Sequence, residues 1–233
     1  MASRSLVKAA GLLLACVALP NAAQAQVGAF GGYHSSGMDQ FNYVLNRIQM
    51  QTILRNGKPR AGPLVPKSES TTIARGAVPV APQRLARHYP AAQRPEAVRT
   101  FRKLLDGYRQ LETRFGIPTG DMAGAMAALI AGSWSICRDR EIVEAHFVRA
   151  AGQLRGAIAQ DPRFAQLAAI DRQMSYEQFA ILGTELALLR MALKQRPDPE
   201  LQRRGCDAGR GYLAQFGLDP DRLEITAAGL APA

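Results

Sequence analysis

The sequence predicts an all-α domain, a bundle of five to six helices with short connections. Three observations carry that prediction. Apolar residues recur at helical spacing, most clearly Phe101, Leu104, Leu105, Tyr108, Leu111 and Phe115. The run MAGAMAALIAGSWSIC, residues 122–137, holds no charged side chain, which suits a helix buried on all sides and approached closely over its glycines. Stop and cap signals divide the remaining stripes at short intervals, and only the LEIT of 223–226 reads as a strand.

The first residues bear on compartment. MASRSLVK supplies two positive charges, AAGLLLACVAL is apolar, and Ala23-Gln24-Ala25 places small residues where a signal peptidase cuts. That order predicts a secretory signal over 1–25, cleaved after Ala25, with an apolar run too short to span a bilayer. Leu13–Cys16 (LLAC) offers a rival reading as a lipoprotein box. The expected location is periplasmic or secreted. Residues 26–37, QVGAFGGYHSSG, are Gly/Ser-rich and expected to be disordered. Residues 38–54 then put Phe41, Val44, Leu45 and Ile48 on one face of a short amphipathic helix, a candidate for contact with a partner or with the chain's own domain. Few cations lie on its polar face, which weakens a membrane-surface role.

The net charge of +10 is uneven. Residues 55–103 hold eleven basic and two acidic residues, and the rest of the mature chain is nearly neutral. Six prolines and few large apolar groups make 55–93 a flexible basic linker in this reading. Arg55, Lys58, Arg60, Lys67, Arg75, Arg84, Arg87 and Arg94 suit weak contact with an anionic surface. Tyr89 is the segment's one aromatic residue, and export removes the chain from genomic DNA, so no nucleic-acid partner is expected.

The compact domain is expected over 94–225, with a tail at 226–233. Pro95 fits a first helical turn. Gly116 and Pro118 end the first helix, and Asp121 caps the charge-free one. A third helix is expected from about Asp139 to Gln160, with Val143, Phe147, Ala150, Leu154 and Ile158 inward. Asp161-Pro162 stops it and opens a short turn or helix. Ser175 and Gln178 read as a capping box before Phe179, Leu182, Leu186, Leu189 and Leu193. Asp198-Pro199 opens the last long helix, which Gly217 closes. Residues 114–122 and 215–223 echo one another (aromatic, Gly, apolar, then Pro and Asp), which two helix stops, each with a cap after it, explain without duplication.

The candidate chemistry is thin. Cys137 and Cys206 remain once the signal is removed. In an oxidising compartment they suggest one disulfide, the rival being two buried thiols. The CRDREIVEAHF stretch, 137–147, has the letters of a metal site, but Glu144 and His146 lack the i,i+3 or i,i+4 phase that shared ligation requires, and Glu141 falls on the water side. Cys137 as a nucleophile lacks a nearby base, since His34 and His88 lie outside the expected domain. No nucleotide-binding or nucleophile-elbow motif occurs, and no cofactor is expected. Glu185, inside ILGTELALL, is the most interesting acid because its neighbours are apolar; the plainer reading places it on the solvent flank of its helix.

The stretches RTFRKLLDGYRQLETRFGIPTGDMAGAMAALIAGSW and FGLDPDRLEITAAGL, with a Gln/Arg-rich helix between, resemble a family of exported, uncharacterised bacterial helical proteins over roughly residues 84–230. That resemblance implies a helical fold and an export route, and no catalytic residues. The expectation is an exported helical binding or interaction module of the cell envelope. A hydrolase of an envelope polymer acting through a helix-borne carboxylate is one alternative, and an assembly protein held to anionic surfaces by its basic linker is another.

Overall fold

The computed structural model describes residues 71–74 and 78–233. The expected signal peptide with Cys16, the 26–37 segment, the helix carrying Phe41, Val44, Leu45 and Ile48, and most of the basic segment lie outside these residues. Seven α-helices run through the described part: α1 (Ala81–Ala86), α2 (Arg94–Phe115), α3 (Met122–Arg138), α4 (Glu144–Ala159), α5 (Pro162–Gln166), α6 (Ala169–Gln195) and α7 (Pro199–Gln215). A two-stranded antiparallel hairpin, β1 (Leu223–Thr226) with β2 (Gly229–Pro232), comes after them.

Helix α3, free of charge from Met122 to Cys137 and ending in Arg138, is the axis of the fold. Its residues from Met122 through Ala127 are all buried, and so are those from Leu129 through Ile136. Asp121 caps it by accepting the Gly124 N–H at 3.0 Å, as an Asp in extended backbone should. The long helix α6 makes the most extensive contact with α3. A Cβ on Gly132 would overlap the Gly183 carbonyl, and one on Gly183 would overlap the backbone of Ala128 and Leu129. The two helices therefore touch backbone to backbone, which only glycine permits. On another side α7 lays Gly205 and Gly209 against Ile136 and Ser133. Trp134 is buried beneath the hairpin and donates its indole N–H to the Leu223 carbonyl at 2.7 Å.

Several boundaries differ from the sequence expectation. Residues 81–93, assigned to the linker, fold onto the domain: Ala81, Leu85, Ala86 and Tyr89 are buried, and α1 packs on α2 and α6. A carboxylate from far along the chain makes this possible. Glu177 of α6, fully buried, accepts the Val80 and Ala81 N–H groups, both at 2.8 Å, and so caps α1 from outside. Arg84 and Arg87 sit in and just after α1. Arg94 donates to the Tyr89 carbonyl at 3.1 Å, tying the loop to α2. The compact part thus starts well before Arg94. It also runs past 225, because β2 pairs with β1 and Gln153 of α4 clasps Leu230, accepting its N–H at 2.8 Å and donating to its carbonyl at 3.2 Å.

Two helix starts move as well. The third helix begins at Glu144, because Asp139 takes a left-handed conformation (φ 48°) that ends α3 and leaves 140–143 as a loop. Val143, expected inside, is 45% exposed, while Phe147, Ala150, Leu154 and Ile158 are buried. Ser175 caps nothing. It is buried inside α6, which starts six residues earlier at Ala169. The echo between 114–122 and 215–223 is one local solution used twice. Gly116 (φ 66°) and Gly217 (φ 69°) end their helices, Ile117 and Leu218 donate back to Glu112 and Leu213, and Asp121 and Asp219 cap the next helical segment.

The turn before α3 is held by buried acids. Glu112, fully buried, accepts the Gly120 N–H and the Tyr176 hydroxyl, the latter at 3.0 Å. Asp121, also fully buried, accepts from Thr71 Oγ at 2.7 Å and pairs with Arg155 of α4 at 2.5 Å. Residues 71–73 cross this turn as a strap, with Ile73 donating to Gly120 and Met122 to Thr71 through the main chain.

The far end of α3 is held covalently. Cys137 and Cys206 form a disulfide across α3 and α7, with Cα atoms 4.5 Å apart and a sequence separation of 69. Closing a loop of that length stabilises the fold by about 4 kcal/mol in the chain-entropy limit and by ~2–4 kcal/mol in typical proteins. Replacing both cysteines by serine should lower the unfolding free energy by about 2–4 kcal/mol. Non-reducing peptide mapping of the unsubstituted protein should recover the 137–206 linkage. Free thiols at both positions would remove the staple from this account.

Candidate functional site

A cavity of about 440 Å³ opens between α2, α3, the start of α4 and α6. Its size falls within the range of small-molecule sites. It exists because the facing helices are thinly clothed there. Ala128, Ala131 and Gly132 on α3 and Gly183 and Ala187 on α6 present little side chain. The opposite wall is bulky, with Leu111 and Phe115 on α2 and Phe147 on α4, the two phenyl rings meeting edge to face at 5.8 Å. Tyr108 closes one part of the lining with its ring. Its hydroxyl is buried without a hydrogen-bond partner, and burial, with a smaller push from the nearby Glu112, holds its pKa well above the usual phenol range.

One face of α6 gives the cavity its polarity. Thr184, Ala187, Arg190, Met191 and Lys194 succeed one another at helical spacing along the lining. From Thr184 to Lys194 this face spans about 15 Å at helical rise. The Thr184 hydroxyl is buried and unpartnered. Arg190 is only 8% exposed. Its Nη2 donates to the Asp139 carbonyl at 3.1 Å, while its Nε lies 3.4 Å from Asp139 Oδ1 without the alignment of a hydrogen bond. Lys194 donates to Asp139 Oδ2 at 3.0 Å. Asp139 itself is not part of the lining and its carboxylate is 57% exposed. The loop 140–143 contributes Glu141 and Ile142 to the lining. It is anchored on its other side by Arg140, which pairs with Glu224 of the hairpin at 2.9 Å and lies over the Trp134 ring.

These positions account for the 137–147 stretch. Cys137 is spent in the disulfide. Asp139 serves as counter-ion to Arg190 and Lys194, Glu141 lies exposed beside the cavity, and Glu144 and His146 sit half-buried in the first turn of α4. Among the described residues no group of three or more His, Cys, Asp or Glu side chains is placed to hold a metal ion, and no helix is long and apolar enough to cross a membrane. Sequence reasoning missed Arg190 and Lys194. The signal that marks them is the face shared by Gly183, Ala187, Arg190, Met191 and Lys194, which mixes small, apolar and cationic groups.

Glu185 departs from its expected solvent position. It is 7% exposed, its Oε2 has no hydrogen-bond partner, and burial pushes its pKa up to about 8. The Tyr212 hydroxyl of α7 is buried and unpartnered nearby, and its pKa is raised first by burial and then by the Glu185 charge. Glu112 is pushed up to about 7, again by burial, against the pull of its bonds from Gly120 and Tyr176. Neither acid lines the cavity. Both folded-state values lie above the ordinary glutamate value of 4.5. The folded state therefore binds these protons more tightly than the unfolded chain does, and their contribution to stability is full below the unfolded pKa and lost as pH rises through the folded one. The melting temperature should fall between about pH 5 and pH 8.5. Glu185→Gln should flatten that fall and melt higher than the unsubstituted protein at the alkaline end. Parallel pH profiles for the two proteins would contradict the assignment.

The family of unknown function DUF6683 matches residues 2–232, so the N-terminal part, which the helical resemblance left outside, falls within the same pattern. No curated protein and no solved structure matches the chain. With nearly its whole length inside one pattern, the chain belongs to DUF6683, a family of unknown function.

Proposed function

We propose that this domain is an exported binding module whose ligand, a small molecule with an extended apolar body, enters the cavity between α2, α3 and α6. The observation that carries the reading is the cavity itself. It is lined by Leu111, Phe115, Ile142, Phe147 and Met191, with a few polar groups gathered along one face of α6. Apolar walls with a small number of placed polar groups are the general pattern of ligand sites. A hydrolase would require an acid beside the reacting bond. The two acids that burial tunes, Glu112 and Glu185, lie off the cavity, and Glu112 is engaged in holding the turn before α3. The alternative of an assembly protein attached through its basic segment is narrowed in the described residues, where Arg94 bonds the loop that precedes α2.

Two measurements test this reading. An apolar fluorophore such as phenylnaphthylamine should bind the mature protein saturably at one site. Ala187→Phe, which fills the cavity from α6, should abolish that binding while leaving the circular dichroism spectrum unchanged. Equal binding by both proteins would place the dye elsewhere and remove the cavity as a ligand site. Export rests on the composition of residues 1–25. Mass spectrometry of the protein from a bacterial periplasmic fraction should find an N-terminus at Gln26. Retention of residues 1–25, or a lipid on Cys16, would refute cleavage after Ala25.

A further inference from the structure

We infer that the cavity is built for a single-chain amphiphile with a carboxylate head, and that the Asp139 side chain occupies the seat this head takes when the ligand binds. The inference rests on the cavity being the binding site and adds the chemistry of its ligand. The cavity's elongated polar face ends in two cations, Arg190 and Lys194. Buried cations are costly unless paired, and here the pairing partner is peculiar. Both reach out of the lining to one carboxylate, Arg190 Nε lying 3.4 Å from Oδ1 and Lys194 Nζ 3.0 Å from Oδ2. That carboxylate belongs to Asp139, which is more than half exposed and stands at a helix end in left-handed backbone. Its side chain can turn into water at little cost. Arg190, in contrast, is fixed: it is more than nine-tenths buried, and its Nη2 is held by the Asp139 main-chain oxygen, a bond that does not depend on the Asp139 side chain. Its Nε–H is left without an aligned acceptor.

A ligand carboxylate arriving along the α6 face would take over the two cations one oxygen to each, giving Arg190 Nε the acceptor it lacks. The alkyl chain would then lie along Ala187 and Met191 toward Phe115 and the ring of Tyr108. Glu141 is the one acid among the lining residues, and it is exposed. A cationic head would be preferred only if Glu141 outweighed the Arg190–Lys194 pair. That contest is one arm of the test. An uncharged head would leave the cations with Asp139 and gain nothing from them.

The test titrates the mature protein with dodecanoate, dodecanol and dodecyltrimethylammonium by calorimetry. In the unsubstituted protein dodecanoate should bind about tenfold or more tightly than dodecanol, as expected when a charged hydrogen bond is gained. Lys194→Gln, at an exposed position, should erase that advantage by weakening dodecanoate about tenfold. Asp139→Asn should tighten dodecanoate by about threefold or more, because it removes the competing charge while keeping a residue type that tolerates left-handed backbone. Its affinity for dodecanol should not move. A gain on removing a native carboxylate is an outcome that a merely structural Asp139 does not produce. Equal affinities for acid and alcohol in all three proteins, or tightest binding by the ammonium compound, would overturn the head-group inference and leave the cavity reading standing. If none of the three binds, or if Ala187→Phe binds them undiminished, the cavity reading itself fails and the inference fails with it.

Discussion

The close approach of α3 and α6 at Gly132 and Gly183 is the constraint on which the rest of the domain depends. Each glycine faces the other helix's main chain with no room for a Cβ. Substitution at either position forces α3 and α6 apart, and core overpacking of that kind costs roughly 1–3 kcal/mol or more. Once these backbones touch, the neighbouring small residues, Ala128, Ala131 and Ala187, are brought opposite the larger side chains of α2, and the space left over is the cavity. The same contact that gives the core its density therefore leaves a void beside it. A cavity of this volume sacrifices dispersion contacts that a filled core would have. Its presence next to the fixed Arg190 guanidinium is the physical reason to read it as a site.

The helical fold was legible because its signals are local. The stripe from Phe101 to Phe115, the Asp121 cap, the absence of charge over 122–137 and the glycine stops at 116 and 217 each act within a few residues. The two cysteines were legible as a pair because, apart from Cys16 in the expected signal, the chain has no others. What failed was long-range. Residues 81–86 read as linker because nothing in APQRLA announces that Glu177, far along the chain, will cap it. Ser175 and Gln178 have the letters of a capping box, yet tertiary packing extends α6 through them. Glu185 read as a flank residue because a helical wheel cannot show that α7 covers that flank.

The site was less legible than the fold for the same reason. Arg190 and Lys194 are ordinary helix residues in sequence, and Asp139 belonged to a stretch that drew attention as a metal site. Their meeting depends on α3 ending in left-handed backbone at Asp139, a conformation that no pattern of apolar spacing reports. The buried acids show the complementary point. Glu112, Asp121 and Glu177 look like catalytic material by burial alone, but each is engaged by main-chain N–H groups and side-chain donors and joins segments distant in sequence.

Trp134 has a further meaning. It is the chain's single tryptophan, and it touches both the hairpin, through the Leu223 carbonyl, and the loop that gives Glu141 and Ile142 to the cavity lining, through the Arg140 guanidinium 5.2 Å from its ring centre. Its indole stands outside the cavity lining. The molecule thus contains one intrinsic optical reporter, set at the seam between its C-terminal clasp and the loop of residues 140–143. Changes in its emission colour report rearrangement of that seam and carry no direct signal from whatever fills the interior.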